Sequence, residues 1–184
     1  LFYTQEDKGL RCTLCSHHCL IASGRRGLCA VRENQGGKLY SLVYGKVAAE
    51  AVDPVEKKPL YHFMPGSRTW SIATQGCNFR CGHCQNFSLS QLTKAQLPAG
   101  RQRSHQEVVA MAQDSGCASI SYTYSEPTMF FEFAEDCGLA AKEQGLANIF
   151  VTNGYMSSQA AERAAGPVTG WLDAANIDIK AFSD

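Results

Sequence analysis

No apolar run in this chain approaches the length that spans a bilayer, and no charged segment followed by an apolar one opens it, so neither insertion nor export is indicated. An excess of charge of one sign is also lacking: Lys and Arg number 17, Asp and Glu 17, and the formal net charge is +0. That balance gives no electrostatic case for nucleic acid or an anionic membrane, and Arg25-Arg26 and Arg101 to Arg103 read as solvated loop charges. At 184 residues and 45% apolar composition, the chain can bury a sizeable core in one main domain. Cysteine, by contrast, is abundant. There are nine, grouped at metal-ligand spacing, which argues for a reducing compartment, the cytoplasm, over a disulfide framework. The absence of an initiator Met before Leu1 and the strand-like Ile177-Asp178-Ile179-Lys180 near the other end suggest a piece of a longer protein.

Cys77, Cys81 and Cys84 form a C-x3-C-x2-C run directly after the short apolar stretch Trp70 to Thr74. Three thiolates on one tight loop can hold three irons of a four-iron cluster and leave the fourth open to a ligand that is not protein. A structural zinc loop or three unrelated core cysteines are the plainer alternatives. The Gly, Asn and Arg of the loop speak against simple packing. Cys12, Cys15, Cys19 and Cys29 form a second group, C-x2-C-x3-C-x9-C, in a hydrophilic opening segment without helical or strand period. A small loop-rich segment needs a staple, and four thiolates suit zinc or a second iron centre, with His17 and His18 able to replace one of them.

The pattern predicts two regions, 1–67 with the second cysteine group and 68–184 as the core. In the first, Lys38 to Val43 and Lys46 to Val52 read as a β-hairpin about Tyr44-Gly45, followed by a strap from Asp53 to Ser67. In the second, strands and helices alternate. Strands are expected at Trp70 to Thr74, Ala118 to Thr123, Ala147 to Thr152 and Ala174 to Lys180. Helices are expected from the capping box at Ser104 to Ser115, from Pro127 to about Gln144, and over Ser157 to Ala165. Repeated βα units imply an α/β fold with parallel strands, and four of them make about half of a (β/α) barrel, with active groups at the carboxyl ends of the strands.

Three strand ends carry polar groups. Tyr122 to Pro127 is a turn with a carboxylate, Glu126, that could receive an ammonium, or serve with Ser125 as an ordinary helix start. Thr152-Asn153-Gly154 by itself reads as a turn. Asn176, Asp178 and Lys180 share one face of the last strand, isoleucines the other, which means an inward polar face or an exposed Asp–Lys pair. Cys117, Cys137, Phe130, Phe131 and Phe133 are expected in the core.

The loop Gln75 to Asn86 resembles the cluster motif of the radical S-adenosylmethionine (SAM) enzymes, with His83 where that family places an aromatic side chain. The resemblance implies a [4Fe-4S] cluster on Cys77, Cys81 and Cys84 as the catalytic centre, SAM on its open iron, and reductive cleavage of SAM to a 5′-deoxyadenosyl radical. Tyr124-Ser125-Glu126-Pro127 resembles the family's Gly-Gly-Glu-Pro, which grips the SAM amino group, with Tyr and Ser in place of the glycines. Thr152-Asn153-Gly154 resembles an Asp-Thr-Asn-Gly segment with Val151 in place of the Asp, and Asp178-Ile179-Lys180 an Asp-x-Lys strand near the SAM carboxylate and ribose. His83, Ser125, Glu126, Thr152, Asn153, Asp178 and Lys180 are thereby implied as cofactor contacts.

The opening cysteines, Ser41 to Val47 and above all Asp53-Pro54-Val55-Glu56-Lys57-Lys58-Pro59-Leu60-Tyr61-His62-Phe63 resemble the AmmeMemoRadiSam-system radical SAM proteins, relatives of pyruvate formate-lyase-activating enzyme. That branch implies a partial radical SAM barrel, truncated here after the fourth strand. It also implies a reducing electron donor and an unidentified hydrogen donor, which could be a backbone glycine of a partner enzyme, as in the activating enzymes, or a base, a peptide or a small molecule. A non-catalytic iron–sulfur or zinc module for electron transfer or binding is the alternative.

Overall fold

The computed structural model describes residues 1–168 and 170–180. Strands β1 (Tyr3–Glu6), β2 (Gly9–Cys12) and β3 (Leu20–Ile21) form a small antiparallel sheet, and β4 (Arg32–Gln35) and β5 (Lys38–Ser41) a hairpin. Strand β6 (Lys46–Val47) pairs with β9 (Arg101–Gln102), while β7 (Ala49–Pro54) runs antiparallel to β8 (Arg68–Ala73). The hairpin expected about Tyr44-Gly45 does not form. Lys38–Ser41 pairs instead with β4 through Gly36 and Gly37, whose φ of +59° and +82° supply the two left-handed positions of a two-residue hairpin turn. The polarity of Arg32–Gln35 conceals that strand from a hydrophobicity reading.

The main sheet has the order β12-β11-β10-β8-β7, where β10 is Ser119–Tyr122, β11 Ala147–Thr152 and β12 Ala174–Ile177. β8, β10, β11 and β12 are parallel. The crossovers contain α2 (His105–Asp114), α3 (Phe131–Glu143, entered through a 3-10 turn at Pro127–Phe130) and α4 (Ser158–Ala165); the short α1 (Phe87–Ser90) follows the cysteine loop. Strand order advances without reversal, so right-handed crossovers place these helices on one face of the sheet, as in a barrel wall.

The two faces differ in chemistry. Trp70, Ile72, Ile120, Tyr122 and Phe150 share the register of the helix side, while Thr69, Ser71, Ser119 and Ser121 alternate onto the other, and all nine are buried. Large apolar groups thus pack under the helices, and small hydroxyls face inward, where Thr69 Oγ1 and Ser121 Oγ lie 2.7 Å apart.

Phe131, Phe133, Ala134, Cys137, Gly138 and Ala141 form the buried face of α3, as expected for Cys137 and the phenylalanines; Phe130 and Cys117 are buried as well. Trp171 closes this layer, edge-on to Tyr122, Phe131 and Phe150 at 5.4–6.0 Å between ring centroids. A Cβ at Gly138 would lie 2.2 Å from the Trp171 ring. Gly138→Ala is therefore expected to lower stability by about 1–3 kcal/mol through overpacking, read from urea unfolding. The capping box at Ser104 forms with Glu107, and Ser104→Ala is expected to cost about 1 kcal/mol in the same assay.

The last strand is shorter than expected. It ends at Ile177, because its partner β11 stops at Thr152, the residue paired with Ile177, and then turns. Among the described residues β12 is the last strand in the sheet order, and Ile177 and Ile179 are exposed. One apolar cluster runs from Phe2, Cys12 and Val31 in the opening segment to the sheet and helices. No helix among the described residues is long and apolar enough to cross a membrane.

Candidate active site

At its carboxyl end, β8 feeds the cysteine loop through Gly76, whose φ is +109° and whose Cβ, if present, would lie 2.7 Å from a Val31 methyl. Only glycine passes this point without pushing the opening segment away. Arg80 ties the loop down further, donating to Gln91 Oε1 (2.9 Å) and to the carbonyls of Leu28 (3.1 Å) and Leu92 (3.2 Å). The Phe79 amide donates to Cys77 Sγ at 3.4 Å, and Cys84 Sγ lies 3.1 Å from Ser90 Oγ. Burial pushes the Cys77 thiol up to about 11.

Cys77, Cys81 and Cys84 border a cavity of about 500 Å³ at the carboxyl ends of the parallel strands. The same cavity is lined by His83, Ser125, Glu126, Thr152, Asn153, Asp178 and Lys180, so residues from four separate parts of the sequence meet there. Among the described residues, no three Cys, His, Asp or Glu side chains converge to the spacing of a single ion. Three partly exposed thiols around a roomy cavity suit a larger group, and their soft sulfur donors fit an iron–sulfur cluster.

Glu126 is the most heavily bonded group in the wall. Its Oε1 accepts from Thr128 N (3.1 Å), Thr128 Oγ1 (2.6 Å) and Thr152 Oγ1 (2.7 Å), and its Oε2 from Asn153 N (2.8 Å). Burial raises its pKa, and these donors only partly offset the rise. One carboxylate thus caps the 3-10 turn and welds the end of β10 to the end of β11. Ser125 Oγ donates to the Thr74 carbonyl at 2.7 Å, joining β10 to β8. Asn153 Nδ2 donates to Asn78 Oδ1 at 2.8 Å, which brings the Thr-Asn-Gly turn onto the cysteine loop. Asp178 and Lys180 pair at 2.8 Å, both partly exposed at the rim.

Sequence reading missed the support beneath this wall. Tyr124, adjoining Ser125, has φ +63°, a left-handed backbone that a bulky residue adopts only when its surroundings hold it there. Its hydroxyl donates to Asp53, which also accepts from Lys57 (2.8 Å), Lys58 (2.7 Å) and Ser71 (2.8 Å). The Lys58 ammonium is 1% exposed and stands 4.7 Å from the Tyr124 ring centroid. Burial alone would raise Asp53, but its four donors outweigh that and hold it well below the usual carboxylate range. Burial pushes Lys58 down against the pull of Asp53, and burial with the Asp53 bond pushes Tyr124 up to about 12. Lys57, on the same strap, reaches the cavity. The clue was the dense charge of Asp53-Pro54-Val55-Glu56-Lys57-Lys58, which read as a connecting strap.

The Radical SAM superfamily's sequence model matches residues 71–184, more than half of the chain and all of the parallel strands but the first three residues of β8. The chain belongs to the radical SAM superfamily. Its members are enzymes that use a [4Fe-4S] cluster and SAM, and the five-stranded α/β sheet is consistent with part of a radical SAM fold. An uncharacterized protein of Methanocaldococcus jannaschii is 45% identical over 185 residues, an alignment that takes in 100% of this chain and 54% of that relative. The chain thus spans about half the length of the curated relative it matches.

The four cysteines of the opening segment also come together. Cys12, Cys15, Cys19 and Cys29 line a second, small cavity beside the cysteine loop, with His17 among its walls. His18 does not line it; it takes a left-handed φ of +44° in the turn before β3.

Proposed function

We propose that Cys77, Cys81 and Cys84 hold a [4Fe-4S] cluster and that this radical SAM protein abstracts a hydrogen atom from its substrate. Held by these three thiolates and reduced, such a cluster would supply the electron for reductive cleavage of SAM at its C5′–S bond, to methionine and the 5′-deoxyadenosyl group that would take the hydrogen atom. The observation that carries this reading is the meeting of the three thiols with Glu126, Asn153, Asp178 and Lys180 around one cavity.

The wall supplies complementary charge for SAM. Glu126 and the strand-end carbonyls next to it form the anionic side suited to the SAM ammonium, and Lys57 and Lys180 the cationic side suited to its carboxylate. Asn153 and Asp178 offer hydrogen-bond partners for ribose hydroxyls. His83, exposed on the loop and lining the cavity, would be available to a bound adenosyl group. The resemblance of the opening cysteines and the Asp53 to Phe63 strap favours a relative of the glycyl-radical activating enzymes working in the reducing cytoplasm. Its substrate would be a backbone glycine of a partner enzyme, and a protein or small-molecule donor would supply the electron.

SAM binding tests the assignment. With the protein reconstituted anaerobically and reduced, SAM is expected to shift the cluster's electron paramagnetic resonance spectrum, and Cys81→Ala to lose both the bound iron and the shift. A stable cluster whose spectrum ignores SAM would instead indicate a non-catalytic module.

A further inference from the structure

A second group of cysteines lies outside the cluster site. Cys12, Cys15, Cys19 and Cys29 line a cavity of about 20 Å³, enough for one water-sized body and far short of a four-iron cube. Three of the four residues are buried, and backbone N–H groups already point at their sulfurs: Leu14 to Cys12, His17 to Cys15, Val31 and Arg32 to Cys29. Such amide donors match thiolates better than thiols, whose sulfur accepts weakly.

Two unpaired donors on the same wall call for negative charge there. Arg32 is 2% exposed and spends both terminal nitrogens on Glu132, at 2.6 and 2.5 Å, yet its Nε has no partner. Asn78 is 5% exposed, its Nδ2 also has no partner, and its side chain faces Cys15. Leaving buried donors unmatched is costly, because each has given up its water and gained no acceptor. Neutral thiols do not remedy that; a doubly negative tetrathiolate centre does.

We propose that Cys12, Cys15, Cys19 and Cys29 bind one divalent ion of the zinc class as a tetrahedral four-thiolate site, with Arg32 Nε and Asn78 Nδ2 donating to its sulfurs. The free thiols do not converge to ion spacing, so the ion draws them in by side-chain rotation around a shared cavity. Binding exchanges four S–H protons for four S–metal bonds, with no change of oxidation state. Asn78 lies between Cys77 and Cys81, and its carbonyl bonds His17 Nε2 at 2.9 Å, so this ion also fixes one side of the cluster loop.

The test is elemental analysis of the full chain expressed with zinc and iron and purified anaerobically. About one zinc per chain is expected beside the cluster iron, in keeping with a closed four-cysteine site. Cys12→Ser with Cys29→Ser should remove the zinc. Cys81→Ala should lower iron and leave zinc in place, so failure of the cluster assignment registers in a different metal. Should the double variant not fold, Co²⁺ loading of the wild-type chain decides the matter: thiolate-to-cobalt charge transfer with intense tetrahedral visible bands is expected, and their absence from folded protein overturns the proposal. Zinc unchanged in a folded double variant, or iron and sulfide in place of zinc at these cysteines, overturns it equally.

Discussion

Asp53→Ala is expected to destabilise the protein by about 3–5 kcal/mol, because it strands a buried ammonium. Lys58 is 1% exposed and loses its carboxylate partner, while Ser71 and the Tyr124 hydroxyl lose their acceptor. Lys58→Met is the informative partner, for it removes the buried cation and keeps the stem volume. Asp53 then retains Lys57, Ser71 and Tyr124, and the loss should be under about half that of Asp53→Ala. Equal losses in urea unfolding, or none, would contradict the arrangement.

The same carboxylate gives a pH dependence of known sign. Its folded pKa lies below its unfolded value, so the stabilisation is fully present above the ordinary carboxylate range and is lost as pH falls through the depressed folded value. The gap between wild-type protein and Asp53→Asn should therefore narrow on acidification from about pH 5 downward. A gap that widens with acid would refute the sign.

Glu126→Ala is expected to cost about 3 kcal/mol or more, since four donors at two strand ends lose one buried acceptor. It should also weaken SAM binding at least about tenfold, or ~1.4 kcal/mol, by removing the anion and loosening the Thr152-Asn153 turn. Glu126→Gln separates the two effects. It keeps an oxygen for the threonines but sets an amide against the Asn153 N–H, so part of the stability should return while SAM binding stays weak. Unfolding midpoints and SAM dissociation constants measured on all three proteins check this.

What was legible in the sequence was local. The capping box at Ser104 and the strand Ala147–Thr152 each lie within a dozen residues, and each has its expected form in the structure; the spacing of Cys77, Cys81 and Cys84 is as local, and the three residues border one cavity. The hairpin failed for an equally local reason, since Gly36-Gly37 outranks Tyr44-Gly45 as a turn yet sits between polar strands. The Asp53, Ser71 and Tyr124 network was invisible because its members come from segments that only the folded sheet brings together. The left-handed backbone at Tyr124 illustrates the same point: the glycines of the resembled motif tolerate it by themselves, and here Asp53 and Lys58 hold a tyrosine in it.

On the proposed function, the three-cysteine loop makes this chain a SAM-cleaving enzyme. The most direct test is 5′-deoxyadenosine measured after anaerobic reconstitution with iron and sulfide, reduction and addition of SAM, using the complete protein. Equal amounts of 5′-deoxyadenosine and methionine are expected from the wild-type protein and none from Cys81→Ala; a fully formed, reducible cluster that binds SAM and releases no 5′-deoxyadenosine would refute the proposed function.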